Sequence, residues 1–367
     1  MIFIENTVKI KRLSSDEMPK HWKPKYIKLT RAGHVSEFVE MSRRPKAIDA
    51  LRVSKDFYIK PSEESGEVYA YQHASDKSGC QDSVRRSLAA LRLIINANCS
   101  DPARLSWVTL TYAENMTDTK QLYHDYKAFW LRFSRWCAKQ GYQKPEYIAV
   151  AEPQGRGAWH LHCIWIWSDK APFIDNNSVL WKLWKHGFTK IKAVRTDCDN
   201  LGAYFSAYLA DMTVEEYEKA HGHGIDERYT QEKQVLNDDG TETPKRIVKG
   251  ARLKLYPVGM QIYRASKGVV RPTSQELTPE QAEKEKASAG TLTFSAAVAV
   301  LPDCGSGSGG DDSVNIARSQ IISKSYYNAK RKKSQAGDGQ DAGCLSLGGM
   351  IASALANRDV IDPSEFQ

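Results

Sequence analysis

The stretch Tyr147–Trp167, YIAVAEPQGRGAWHLHCIWIW, constrains this chain more than any other. Tyr147–Glu152 is short and apolar, and His160–Trp167 is rich in β-branched and aromatic residues, so both read as strands. Between them Pro153–Ala158 carries a proline and two glycines, and the chain turns there. The spacing predicts a β-hairpin. Side chains alternate across a strand, which puts His160, His162, Ile164 and Ile166 on one face and Leu161, Cys163, Trp165 and Trp167 on the other. Glu152 ends the first strand, where the turn can bring its carboxylate to the two imidazoles. Two neutral imidazoles and a carboxylate suit a divalent cation and leave positions open for a substrate oxygen. The plainer alternative is a pair of strand histidines that reach solvent. Glu152 and the Gly155-Arg156-Gly157 turn favour the metal. A second pair, His221-Gly-His223, lies among Glu, Lys and Gly without an apolar strand and reads as a loop.

The 367 residues allow two or three domains. Lys+Arg 52 against Asp+Glu 44 gives +8, which permits a polyanionic partner without demanding one. Cys80, Cys99, Cys137, Cys163, Cys198, Cys304 and Cys344 are scattered and never form Cys-x-x-Cys. That argues against a disulfide framework or a structural zinc site and for a reducing compartment. The opening MIFIENTVKIKRL is too short in its apolar part for a signal peptide, and no run approaches the ~18 apolar residues of a membrane span. The expected location is the cytoplasm, with no membrane partner.

Residues 1–79 are weakly patterned and carry no assignable chemistry. Gln81–Ala97 has apolar positions at helical spacing, and Leu105–Tyr112 alternates as a strand with Thr109 and Thr111 on one face. Asp118 can cap a long helix over Thr119–Gln140, striped by Leu122, Tyr126, Phe129, Trp130, Phe133 and Trp136, with Gly141 as its stop. A short helix is expected over Ser178–His186, then an edge-like strand over Thr189–Thr196 with Lys190, Lys192 and Arg195. The next helix, Leu201–Met212, carries Tyr204 and Tyr208 four apart on one face. Such a pair is ordinarily core packing, but beside a cation a tyrosine hydroxyl can act as a nucleophile.

Residues near 213–243 are acidic and turn-rich and read as an insertion. The sign then flips. Pro244–Pro272 contains Arg252, Lys254, Arg264 and Lys267 with Tyr256 and Tyr263 interleaved and no acid, a pattern suited to a nucleic-acid backbone. Residues 276–302 read as a C-terminal extension. Residues 303–367 read as a flexible linker and basic tail, with a short helix over Asn315–Lys333. No phosphate-binding loop occurs.

Three stretches, taken in order, resemble the motifs of HUH endonucleases, specifically rolling-circle replication initiators of bacterial plasmids, phages and integrative elements. They are Thr109-Leu-Thr-Tyr-Ala-Glu-Asn115, Glu152-Pro-Gln-Gly-Arg-Gly-Ala-Trp-His-Leu-His162 and Tyr204-Phe-Ser-Ala-Tyr208. Arg252–Gly259 and Tyr263–Gly268 also look like those initiators. The resemblance spans roughly residues 80–272, and the nicking domain is expected over 80–275. It implies an α+β fold with a central antiparallel sheet flanked by helices. Glu152, His160 and His162 would hold Mg²⁺ or Mn²⁺, and Tyr208 or Tyr204 would attack the scissile phosphate, leaving a 5′-phosphotyrosyl end and a 3′-hydroxyl primer. Arg156, Lys190, Lys192, Arg252, Lys254, Arg264 and Lys267 would contact the nucleic acid. The implied partners are single-stranded DNA at a replication origin hairpin, a host helicase and a DNA polymerase. One departure stands out: many two-tyrosine relatives have a lysine three residues after each tyrosine, where this chain has Ala207 and Asp211.

Three other readings remain. A transposase or relaxase would use the same residues on a different DNA target. A non-catalytic nucleic-acid-binding module would stack bases on its aromatics and leave the histidines incidental. A hydrolase of small phosphate esters would need a deep closed pocket.

Overall fold

A computed structural model describes residues 10–14, 16–44, 51–52, 57–59, 68–70, 76–194, 209–227, 230–236, 242–248, 250–300 and 320–331. Strands β1 (Ile10–Leu13), β2 (Tyr26–Ala32) and β3 (Val35–Met41) precede a short meander of β4 (Leu51–Arg52), β5 (Phe57–Ile59) and β6 (Val68–Ala70). Helix α1 (Gln81–Asn98), strand β7 (Leu105–Thr111), helix α2 (Thr119–Lys139), β8 (Glu146–Pro153), β9 (Trp159–Ile166), α3 (Trp181–Trp184) and β10 (Thr189–Ala193) follow. Then come β11 (Met212–Thr213), α4 (Val214–His221), β12 (Thr230–Leu236), β13 (Glu242–Val248), β14 (Tyr263–Ala265) and β15 (Thr273–Glu276). Helix α5 (Pro279–Ser288), β16 (Thr291–Val300) and β17 (Gln320–Asn328) complete the order.

The central sheet runs β10-β7-β9-β8-β14, antiparallel throughout. Asp118 caps α2, its carboxylate accepting from the backbone of Lys120 and Gln121. The aromatic stripe of α2 then lies against the odd-numbered face of β9. Phe133 stacks on Trp165 at 4.1 Å between ring centroids, and Trp130 meets Tyr147 at 4.6 Å. The apolar stripe of α1, with Val84, Leu91, Ile94 and Ile95 buried, joins the same core. The fold is therefore α+β, a central antiparallel sheet with helices packed on it, as the sequence predicts.

A second sheet runs β1-β16-β17-β3-β2-β15 and gathers strands from both ends of the chain. Helix α1 reaches it too: Arg92 donates to Tyr326 Oη at 2.7 Å and to Glu37 at 3.2 Å. The helix expected over Asn315–Lys333 is instead a strand across its described part. Ile321, Ser325, Tyr326 and Asn328 are buried where β17 pairs with both β16 and β3. The basic cluster at Lys330–Lys333 suggests a helix end, but the β-branched and aromatic residues before it suit a pleated surface flanked on both sides.

The stretch near 213–243, expected as an acidic insertion, carries α4 and β12, and β11-β13-β12 form a small sheet. The helix expected over Ser178–His186 is two short turns that end where Lys185 takes a left-handed conformation (φ 71°). The linker expected from residue 303 and the tail beyond residue 331 lie outside the described residues. Among the described residues no helix is long and apolar enough to cross a membrane.

Candidate metal and phosphate site

Register decides which side chains meet. Across β8 and β9, Glu152 pairs with His160 and Val150 with His162. Across β7 and β9, Thr111 pairs with His160 and Thr109 with His162. Residues opposite each other in an antiparallel pair project to the same face. Glu152, His160, His162, Thr109 and Thr111 therefore share the face away from α2. The hairpin closes through Gln154 N donating to Ala158 O (2.8 Å) and Gly157 N donating to Gln154 O (2.7 Å). Gly157 sits at φ 86°, a conformation glycine adopts without Cβ strain.

His162 Nε2 donates to Glu152 Oε2 at 2.6 Å, and Thr109 Oγ1 lies 3.4 Å from His162 Nδ1. The two imidazole centroids are 6.1 Å apart. His160 Nε2 is buried and has no hydrogen-bond partner among the described residues. Burial lowers the His160 pKa to about 4, helped by the neighbouring positive charge of His162, Arg156 and Arg252 and opposed by Glu152. His160 is thus a neutral imidazole at pH 7. Burial alone would raise Glu152, but its hydrogen bond to His162 and the charges of His162, Arg252 and His160 outweigh this and hold it at about 2. Among the described residues no three His, Cys, Asp or Glu side chains are already closed into a cation cage.

Behind Glu152 stands a buried ion-pair network. Arg252 Nη1 lies 3.2 Å from Glu152 Oε1. Its guanidinium donates to both oxygens of Glu216, at 2.9 and 2.6 Å, and to the carbonyls of Pro153 (2.6 Å) and Asp211 (3.1 Å). Glu216 Oε1 also accepts from Gly155 N at 3.1 Å, tying α4 to the hairpin turn. This corrects the expectation that Arg252 contacts nucleic acid: it is buried, and its donors are taken up by carboxylates and carbonyls. Glu216 went unnoticed in the sequence. Thr213 caps α4 and Glu216 stands three residues on, the spacing of a capping box. That local pattern gives no hint that the carboxylate turns to Arg252.

Arg264 is also placed differently from expectation. It pairs with Ala149, on the α2 side of the sheet, and its guanidinium lies 3.4 Å from the Tyr123 ring centre. Lys190 and Lys192 pair with Thr109 and Trp107, so β10 carries both on the histidine face. Arg156 is exposed on the turn and donates to Gln154 Oε1 at 3.1 Å. Lys254 and Lys267 are exposed, the first on the short helical turn Ala251–Leu255 and the second in the loop after β14, neither on the histidine strand pair. Tyr204 and Tyr208, and most of the helix expected to carry them, lie outside the described residues, as does Arg195. His221 ends α4 and is exposed with His223.

Residues 105–213 match a family model, that of the replication-associated protein ORF2. The match covers β7 through β11, the segment holding the Glu152, His160 and His162 hairpin. No curated protein and no solved structure matches the chain. The match supports a protein that acts on DNA in replication.

Proposed function

We propose that this chain is a rolling-circle replication initiator that nicks single-stranded origin DNA through a tyrosine nucleophile. One observation supports this reading above the others. A buried, neutral and unpartnered His160 Nε2 shares a strand face with His162 and with a carboxylate kept ionised. An unpaired buried polar atom is costly unless something occupies it. Two imidazoles and a carboxylate fit Mg²⁺ or Mn²⁺ in kind, so His160, His162 and Glu152 would hold the ion, which would polarise a phosphate oxygen. Arg252 and Glu216 fix the position of Glu152, and Thr109 orients His162.

Tyr208 or Tyr204 is the proposed nucleophile. Its oxygen forms the bond to phosphorus as the bond to the 3′ oxygen breaks. The phenol loses a proton and the leaving oxygen gains one, giving a 5′-phosphotyrosyl end and a 3′-hydroxyl primer. A second tyrosine one helical turn away would allow the later rejoining. Strand separation and synthesis would fall to a host helicase and a DNA polymerase.

The Glu152–His162 hydrogen bond favours one rival, a non-catalytic binding module in which that pair is structural. Incubation of the protein with oligonucleotides from its own origin, with Mn²⁺ or with EDTA, separates the two. The expected result is a metal-dependent covalent adduct on a denaturing gel, lost in His160→Ala, His162→Ala and one of Tyr204→Phe or Tyr208→Phe. Binding without any adduct on cognate DNA would leave the module reading in place.

A further inference from the structure

The sheet edge beside the histidines carries an aromatic that the proposed chemistry does not use. Phe188 is 72% exposed, although an aromatic of that size is normally covered. Its carbonyl accepts from Thr111 N at 2.8 Å, which extends the β10–β7 pairing by one residue beyond Thr189 opposite Leu110. Alternation then places Phe188 with Lys190 and Lys192 on the histidine face, while Ile191 turns to the core. Gly187 lets the chain arrive there: a Cβ on it would lie 2.4 Å from Ala113 N and 2.5 Å from Thr111 O. From Asn176 to Val194 the chain holds Lys182, Lys185, Lys190 and Lys192 and no acid.

We infer that β10 and the Phe188 just before it form a docking track for single-stranded nucleic acid, with Phe188 stacking on a base and Lys190 and Lys192 facing phosphates. The charge selects a polyanion, and an exposed ring between lysines suits the π-face that every unpaired base offers. Phe188 opposes Thr111 and Thr111 opposes His160, so the ring sits two strand spacings, about 10 Å, from the histidine strand. At ~3.4 Å per stacked nucleotide the base it holds lies about three nucleotides from the scissile phosphate. This inference rests on the DNA-nicking reading and adds the residue that would set where the strand is gripped.

The test uses the full chain in EDTA and origin-derived single strands carrying 2-aminopurine at successive positions. Wild type should quench the probe at one position within about three nucleotides of the nick site. Phe188→Ala should lose that quench and bind roughly five- to 150-fold more weakly, while Phe188→Trp restores both. The slope of log affinity against log salt should stay unchanged in Phe188→Ala and fall by about 0.7 in Lys190→Ala and in Lys192→Ala. Equal binding and quenching by Phe188→Ala, with the metal-dependent adduct still formed, would overturn the track and leave the nicking reading standing. A concentration-dependent dimer lost in Phe188→Ala, with DNA binding intact, would assign the ring to contact between copies and also overturn it. Failure of wild type to bind any single strand would sink both readings.

Discussion

Arg252 lies between two carboxylates, Glu216 at 2.6 Å and Glu152 at 3.2 Å, with the carbonyls of Pro153 and Asp211 taking its other donors. Removing one partner of a buried pair leaves the others charged and unsatisfied. Arg252→Met should therefore cost about 3–5 kcal/mol. Glu216→Gln should cost less, on the order of 1–3 kcal/mol, because one charge-assisted bond weakens while the other acceptors remain. Urea unfolding midpoints of the two variants check the order. Arg252→Lys should not rescue, since an ammonium lacks the planar fork that spans both Glu216 oxygens. The sequence made this arginine look like a phosphate contact because neighbouring residues are basic. Its burial depends on acids far away in the chain, which no local window contains.

At the scale of elements, the hairpin is held in place by the helix behind it. Phe133 of α2 stacks between Phe129 (6.0 Å), Trp136 (5.8 Å) and Trp165 of β9 (4.1 Å), and it is fully buried. Truncation to alanine removes most of that contact and leaves a cavity among large rings that relax little. Phe133→Ala should cost about 3–5 kcal/mol in global stability, read by chemical denaturation. The exposed Leu131 on the same helix provides the contrast, and Leu131→Ala should stay within about 0.5 kcal/mol. These elements were legible in the sequence. The 3.6-residue stripe of α2, its Asp118 cap and the period-two pattern of β7, β8 and β9 are local signals, and packing agrees with them.

For the molecule as a whole, β17 is an inner strand, bonded to β16 on one side and β3 on the other. Its Tyr326 also receives the Arg92 guanidinium, both as a hydrogen bond and over the ring at 4.7 Å. A chain ended after residue 302 would expose two strand edges and strip Arg92 of a buried partner. It should aggregate or lose cooperative unfolding, whereas a chain ended after residue 331 should unfold cooperatively at the full-length midpoint. Circular dichroism melts of both truncations test this. The central sheet and the replication-family match lie outside β17, so the motifs that mark the site carry no sign of this dependence.

By itself the sequence determined the hairpin, its histidine face, the long aromatic helix and the edge strand with its lysines. Each is set by side-chain period and turn chemistry within some twenty residues. Only the tertiary structure decided that Glu216 and Arg252 close behind Glu152, that Arg264 belongs to the helix side, and that Phe188 falls in line with the histidines. It also decided that residues near both ends share one sheet. The reason is physical. Strand register and ion-pair geometry are fixed by partners far apart along the chain, and a residue's face or burial follows from the partner it finds.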